Sequence, residues 1–189
     1  GRYQLLERVG EGGMSVVWRA RDTELEREVA IKLLRSVVAA DPAQSHRFHR
    51  EARALAALAS DRIVRIYDYV SSGDDSFLVM EYVAGENLAQ ATRGRLPLEP
   101  GEAAAYMQPV AEALAYAHAR GVVHRDLTPT NILIEHGTGR VVTTDFGLAR
   151  HDQSAGRASV GDLRLTHTGA LVGTPAYMAP EQHDGKTVD

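Results

Sequence analysis

The chain has 189 residues, 44% of them hydrophobic, with a formal charge of -4 and no cysteine. That is apolar material for one ordinary domain or two small lobes, and the lack of thiols excludes disulfides, thiolate metal sites and cysteine nucleophiles while suiting a reducing cytosol. No long basic run marks a nucleic-acid or anionic-membrane partner, no apolar run approaches the ~20 residues of a membrane span, and the start Gly1-Arg2-Tyr3 has neither a signal-peptide pattern nor an initiating Met, which suggests a fragment.

From Tyr3 to Arg35, short alternating apolar runs such as Val16-Val17-Trp18 and Val29-Ala30-Ile31 predict three antiparallel strands. Asp41-Pro42 then opens a helix to about Ala59, with Phe48, Ala52, Leu55, Ala56 and Ala59 at helical spacing. Strands are predicted around Ile63 to Val70 and Phe77 to Tyr82, separated by the turn residues Ser71 to Asp75. Val83 to Pro100, interrupted by Gly85, Gly94 and Pro97, reads as a linker with one short helix. The spacing predicts a second long helix over Glu102 to Arg120, bent or weakened at Pro109 and closed by Gly121. Short strands follow near Ile132 to Ile134 and Val141 to Thr143, then a polar loop from His151 to Thr168.

The chemistry-bearing residues fall between these elements. Gly10-Glu11-Gly12-Gly13-Met14-Ser15-Val16-Val17 lies between two strands, not between a strand and a helix. It reads as a flap whose backbone N–H groups approach phosphates, or as a plain glycine-rich hairpin turn. Lys32, inside the apolar strand that contains Ala30, needs a counter-ion; Glu51 is the candidate, although two unrelated surface charges would look the same. In His124-Arg125-Asp126-Leu127-Thr128-Pro129-Thr130-Asn131, Asp126 is placed to orient a hydroxyl and accept its proton, and Asn131 to bind a metal ion. His124, after Val122-Val123, reads as a packed, hydrogen-bonded histidine. Asp145, at a strand end before Phe146-Gly147, is the main metal ligand. A set of hard oxygen donors points to Mg²⁺, with Mn²⁺ as the alternative, and not to zinc.

In this order, with Ala179-Pro180-Glu181 after them, these motifs resemble the eukaryotic-like (Hanks-type) protein kinases, and most closely their bacterial serine/threonine branch. The resemblance implies an α+β, bilobal protein-kinase-like fold. Residues 1–83 would form a small antiparallel β lobe with one helix, and residues 84–189 part of a mainly helical larger lobe. It further implies Met80 as gatekeeper, Glu81 to Val83 as the adenine hinge, and Val17, Ala30 and Leu133 as the slot around the ring. Leu55, Ile66, His124 and Phe146 would stack as a spine. Gly12, Gly13 and Met14 would cover the phosphates, with Ser15 where a third glycine usually stands, and Lys32, held by Glu51, would reach the α- and β-phosphates.

The implied activity is transfer of the ATP γ-phosphate to Ser/Thr hydroxyls of proteins, with autophosphorylation at Thr166 or Thr168 read by Arg125, in trans if a homodimer forms. Thr174 would hydrogen-bond Asp126. The implied location is the cytoplasm, with membrane anchoring left to parts outside this segment. Thr128 departs from the pattern, since that branch usually has lysine there. Loss of that cation would slow transfer, and it leaves open a pseudokinase that holds nucleotide or a partner. A small-molecule phosphotransferase is a third reading. The resemblance covers about the first two thirds of such a domain, so the segment alone is expected to expose apolar surface and to be poorly soluble or inactive.

Overall fold

The computed structural model describes residues 1–12, 15–34, 52–72 and 75–146, together with Tyr177 and Ala179. Five strands, β1 (Tyr3–Glu11), β2 (Ser15–Asp22), β3 (Arg27–Leu34), β4 (Ile66–Ser72) and β5 (Asp75–Glu81), form one antiparallel sheet in the order β1-β2-β3-β5-β4. The alternation of side chains sets its two faces. Val29, Ile31, Val79 and Ala20 pack into one cluster, whereas Ala30, Leu78 and Met80 join a second cluster with Ala52, Val64 and Val142. Lys32 is two residues from Ala30 and so shares the face of this second cluster, where it is only 5% exposed.

Local chemistry fixes the β2–β3 turn. Asp22 accepts the N–H groups of Glu24 and Leu25 at 3.2 and 3.3 Å, and its carboxylate takes a bidentate pair from Arg2 at 3.0 and 2.8 Å. The Arg2 hydrogen bonds hold the Asp22 carboxyl down at about 2. Register shifts between Leu5 and Glu7 and between Arg8 and Gly10 mark irregularities in β1 just before the glycine-rich turn.

Residues 52–56 are helical and bury Ala52 and Leu55. The expected stripe through Ala56 and Ala59 is not the buried one. The Leu58 N–H turns back to the Leu55 carbonyl at 2.9 Å, which tightens the last turn and buries Leu58 instead. The expected start at Asp41-Pro42 lies outside the described residues. Strand β4 begins at Ile66, later than expected, because Ile63 pairs with Thr143 of another strand.

The stretch expected to be a linker also contains a strand, β6 (Gly85–Asn87), which leads into the short helix α1 (Leu88–Ala91). Asn87 and Gln90 form a reciprocal capping box at its start. Strand β6 pairs with β7 (Ile132–Glu135), and β7 with β8 (Val141–Thr143), in a second antiparallel sheet. A Cβ on Gly85 would lie 1.9 Å from the Ile134 carbonyl oxygen, so this pairing needs glycine.

Helix α2 (Pro100–His118) runs unbroken through Pro109 and buries Val110, Ala113 and Ala117. It closes as expected at Gly121, where φ is +72°. The Gly121 N–H donates to His118 and the Val122 N–H to Ala117, at 2.9 and 3.0 Å. Ala113 and Ala117 pack with Leu55, Leu58, Ile63 and Phe146, and Val110 packs with Ile132 and Val141, so α2 supports the second sheet and the helical residues 52–56 together.

Candidate active site

The residues expected to line the slot pack together from parts of the chain far apart in sequence. Ala30, Met80 and Val83 are buried in one cluster, with Val17 and Leu133 half-buried against it. The β3–β5 register sets Ala30 opposite Met80. Val142 belongs to the same cluster, and sequence reasoning missed it; its place in the short apolar strand before Asp145 was the available signal. Across the β1–β2 turn, Gly10 pairs with Val17 and Glu11 with Val16. The Gly12 N–H donates to the Ser15 carbonyl at 2.9 Å, so here it closes the turn. Gly13 and Met14 lie outside the described residues.

Lys32 Nζ donates to Asp145 Oδ1 at 2.8 Å, joining β3 to the segment after β8. A cation on a buried strand needs such a partner. The Asp145 side chain is 28% exposed, so its carboxylate keeps contact with water. Glu51, the expected partner, lies outside the described residues.

The loop from Val122 to Asn131 is held largely through backbone groups. Arg125 has φ +62° and Asp145 has φ +61°, both in the left-handed region that a non-glycine residue adopts at a cost of about 1–3 kcal/mol. Beside Arg125, the Asp126 N–H donates to the His124 carbonyl at 2.8 Å and to His124 Nδ1 at 3.3 Å. With Nδ1 accepting, Nε2 carries the proton and donates to the Thr144 carbonyl at 3.0 Å. Burial, partly offset by that carbonyl, lowers the His124 pKa below its ordinary value and favours the neutral ring. The ring also packs against Phe146 at a 42° tilt, with 4.5 Å between centroids. His124 is therefore packed and hydrogen-bonded as expected, and Leu55, Phe146 and half-buried Ile66 share one cluster beside it.

Thr144 is gripped on both sides, because its N–H donates to the Asn131 carbonyl at 2.9 Å while its carbonyl accepts from His124 Nε2 at 3.0 Å. One backbone–backbone bond and one from the His124 ring thus draw the loop that carries Asp126 and Asn131 against the segment that carries Asp145. Sequence reasoning missed Thr144, since the work falls to its peptide and leaves no side-chain signature. Asn131 Nδ2 donates to the Asp126 carbonyl at 2.8 Å, which directs the amide nitrogen inward and leaves Oδ1 as the amide atom that could take a cation. Asn131 and Asp145 then offer a hard, oxygen-only donor pair. Among the described residues no group of three or more His, Cys, Asp or Glu side chains forms a metal cage. Such a sparse set fits a cation that keeps waters and shares substrate phosphates.

Thr128 is 6% exposed, and its hydroxyl lies 2.7 Å from that of Thr130. Gly147, Thr166, Thr168, Thr174, Pro180 and Glu181 lie outside the described residues. Among those described, no helix is long and apolar enough to cross a membrane.

A profile of the protein kinase domain family matches residues 3–189. The serine/threonine-protein kinase PrkC of Bacillus subtilis is 42% identical over 185 residues, covering 98% of this chain and 27% of PrkC. The crystal structure of the Mycobacterium tuberculosis PknI kinase domain superposes with a TM-score of 0.75 at 29% identity, covering 100% of this chain and 66% of that one. Rad53, solved in complex with AMP-PNP, gives a TM-score of 0.68 at 28% identity over 78% of this chain and 38% of its own. The chain spans about a quarter of the length of the curated relatives it matches, 27%, 28% and 22% for three of them.

Proposed function

The chain belongs to the protein kinase family, with its antiparallel β-sheet lobe and helical portion, and we propose that the protein transfers the γ-phosphate of ATP to Ser/Thr hydroxyls of proteins. One observation carries the reading. Lys32, Asp126, Asn131 and Asp145 come from three separate segments, yet the Lys32–Asp145 ion pair and the two bonds of Thr144 bring those segments together. The family uses ATP with a divalent metal. Here the slot of Val17, Ala30, Met80, Val83 and Leu133 takes the adenine ring, with the 81–83 backbone beside it, and the turn from Gly10 to Ser15 covers the phosphates.

Lys32 exchanges Asp145 for the α- and β-phosphates when nucleotide binds, with Glu51 as its further partner. Asp145 and Asn131 would hold Mg²⁺, or Mn²⁺ in its place, and the bound cation would supply charge neutralisation on the phosphates, with the remaining work left to the protein. Asp126 accepts a hydrogen bond from the attacking hydroxyl and takes its proton as the Oγ–phosphorus bond forms and the bond from the γ-phosphorus to the β,γ-bridging oxygen breaks, with ADP as the leaving group. Residues 1–83 act as the nucleotide lobe and 84–189 as part of the substrate lobe. Autophosphorylation falls at Thr166 or Thr168, in trans within a homodimer. The reaction takes place in the cytoplasm, where ATP is.

The test is incorporation of labelled phosphate from ATP with Mg²⁺ by the full-length protein, beside an Asp126→Asn control. Incorporation abolished by the control and mapped to Thr166 or Thr168 is expected. Nucleotide binding without incorporation would replace this reading with that of a pseudokinase, which the missing cation at Thr128 favours.

A further inference from the structure

Arg140, just before β8, stands outside every motif discussed above, yet it joins four segments of the chain. Its Nη2 pairs with Glu81 Oε1 at the end of β5. Its Nε and Nη2 reach Glu135 of β7 at 3.2 and 3.4 Å, and its Nη1 reaches the Asp61 carbonyl at 3.4 Å. Glu81 is held from its other side as well: Oε2 accepts the Arg65 N–H at 3.3 Å, and the Glu81 N–H donates to the Arg65 carbonyl at 2.8 Å. Arg140, Glu81 and Glu135 are only 24%, 17% and 25% exposed, so water competes less here than for a surface pair.

The planar guanidinium is suited to this place. Its fork serves two carboxylates and a carbonyl at fixed angles, which a lysine ammonium does not. Glu81 sits between Met80 and Val83, both in the wall of the slot. On the far side of this connection, the His136 N–H donates to the Ala84 carbonyl at 2.9 Å. The 81–84 backbone is thus fixed at its end by β6–β7 pairing and at its start by the pairing of Glu81 in β5, to which the Arg140 side chain adds a second hold. Breaking the Arg140 contacts leaves the Glu81 backbone paired but loosens its side chain and the short connection that follows.

We propose that Arg140 is a positioning residue, clasping Glu81 to Glu135 and the Asp61 carbonyl so that the 81–84 backbone is pre-set for the nucleotide base. The role rests on the slot being the nucleotide site. A fixed connection spares bound nucleotide the ordering cost that a loose one would impose. Loosening it weakens nucleotide without touching the groups that transfer phosphate.

The test uses the full-length protein with Arg140→Gln and Arg140→Lys. Amide hydrogen exchange is followed in peptides spanning residues 81–87 and, as a control, helix α2, and ADP affinity is measured by calorimetry. For Arg140→Gln, exchange in 81–87 is expected to accelerate roughly tenfold and ADP to bind about three- to tenfold more weakly, with α2 unchanged and Arg140→Lys intermediate. Unchanged exchange and affinity would overturn the proposal, as would faster exchange with unaltered ADP binding. Wild-type protein that binds no ADP would overturn the nucleotide-slot reading and the proposal with it. Wild-type binding that Arg140→Gln leaves intact overturns the proposal alone.

Discussion

Replacing Lys32 by Met separates a functional cation from a structural one. At the 2.8 Å separation of Lys32 and Asp145, Coulomb attraction is about 6 kcal/mol at an effective dielectric of ~20 and about 1.5 kcal/mol in water. With the Asp145 side chain 28% exposed, its carboxylate lies toward the solvated end of that range, while the Lys32 side chain is only 6% exposed. Desolvating the ammonium costs several kcal/mol, on the order of the whole attraction. Met keeps the apolar stem and removes that cost, and water takes up Asp145. Urea unfolding of Lys32→Met is therefore expected to show a stability within about 1 kcal/mol of wild type, with an unchanged slope. Phosphoryl transfer is expected to fall by about 10²–10³, as for loss of a pre-set charge beside the reacting phosphates. A loss of more than about 3 kcal/mol of stability would refute the reasoning. The pair would then be a structural ion pair of the kind that leaves a buried charge behind when broken.

Two further outcomes follow from packing and protonation. Gly85→Ala sets a Cβ 1.9 Å from the backbone oxygen of Ile134, which has no flexible end to yield. A cost of about 1–3 kcal/mol is expected, read as a fall in Tm of about 2–4 °C per kcal/mol; an unchanged Tm would show that the β6–β7 pairing is looser than the structure has it. His124 titrates below its ordinary value because burial disfavours the imidazolium, whereas the unfolded chain protonates near pH ~6.5. Below that pH the unfolded state binds the extra proton, so stability present at neutral pH falls on acidification toward the folded-state pKa. Urea midpoints at pH 7.5 and 5.5 (about one unit on either side of ~6.5) should differ less in His124→Gln than in wild type. An equal pH dependence in the two proteins would rule out His124 as the source.

Much of the site was legible because side-chain type and spacing carry it. Lys32 on an apolar strand, Asp126 and Asn131 within one loop and Asp145 at a strand end all lie where their sequence context set them, and the slot residues Val17, Ala30, Met80, Val83 and Leu133 gather as expected. Strand alternation was equally readable, since period two puts Ala30 and Lys32 on one face whatever the rest of the chain does. Boundaries were less so. Ile63 reads as a strand residue, but its pairing partner, Thr143, is eighty positions downstream. The strand Gly85–Asn87 looked like linker because its glycine answers to a carbonyl on another strand.

By itself the sequence determined which chemical groups are available and in what order: the glycine-rich turn, the strand lysine, the Asp126–Asn131 loop and Asp145. Only the tertiary structure decided how they are held. Lys32 meets Asp145 across 113 residues, and Arg140 meets Glu81 across 59. Thr144 anchors the Asp126–Asn131 loop through an N–H and a carbonyl that every residue except proline has. Local pattern reports periodicity and side-chain chemistry. Contacts between distant segments, and bonds made by the backbone itself, become defined only when the sheets and α2 close on one another.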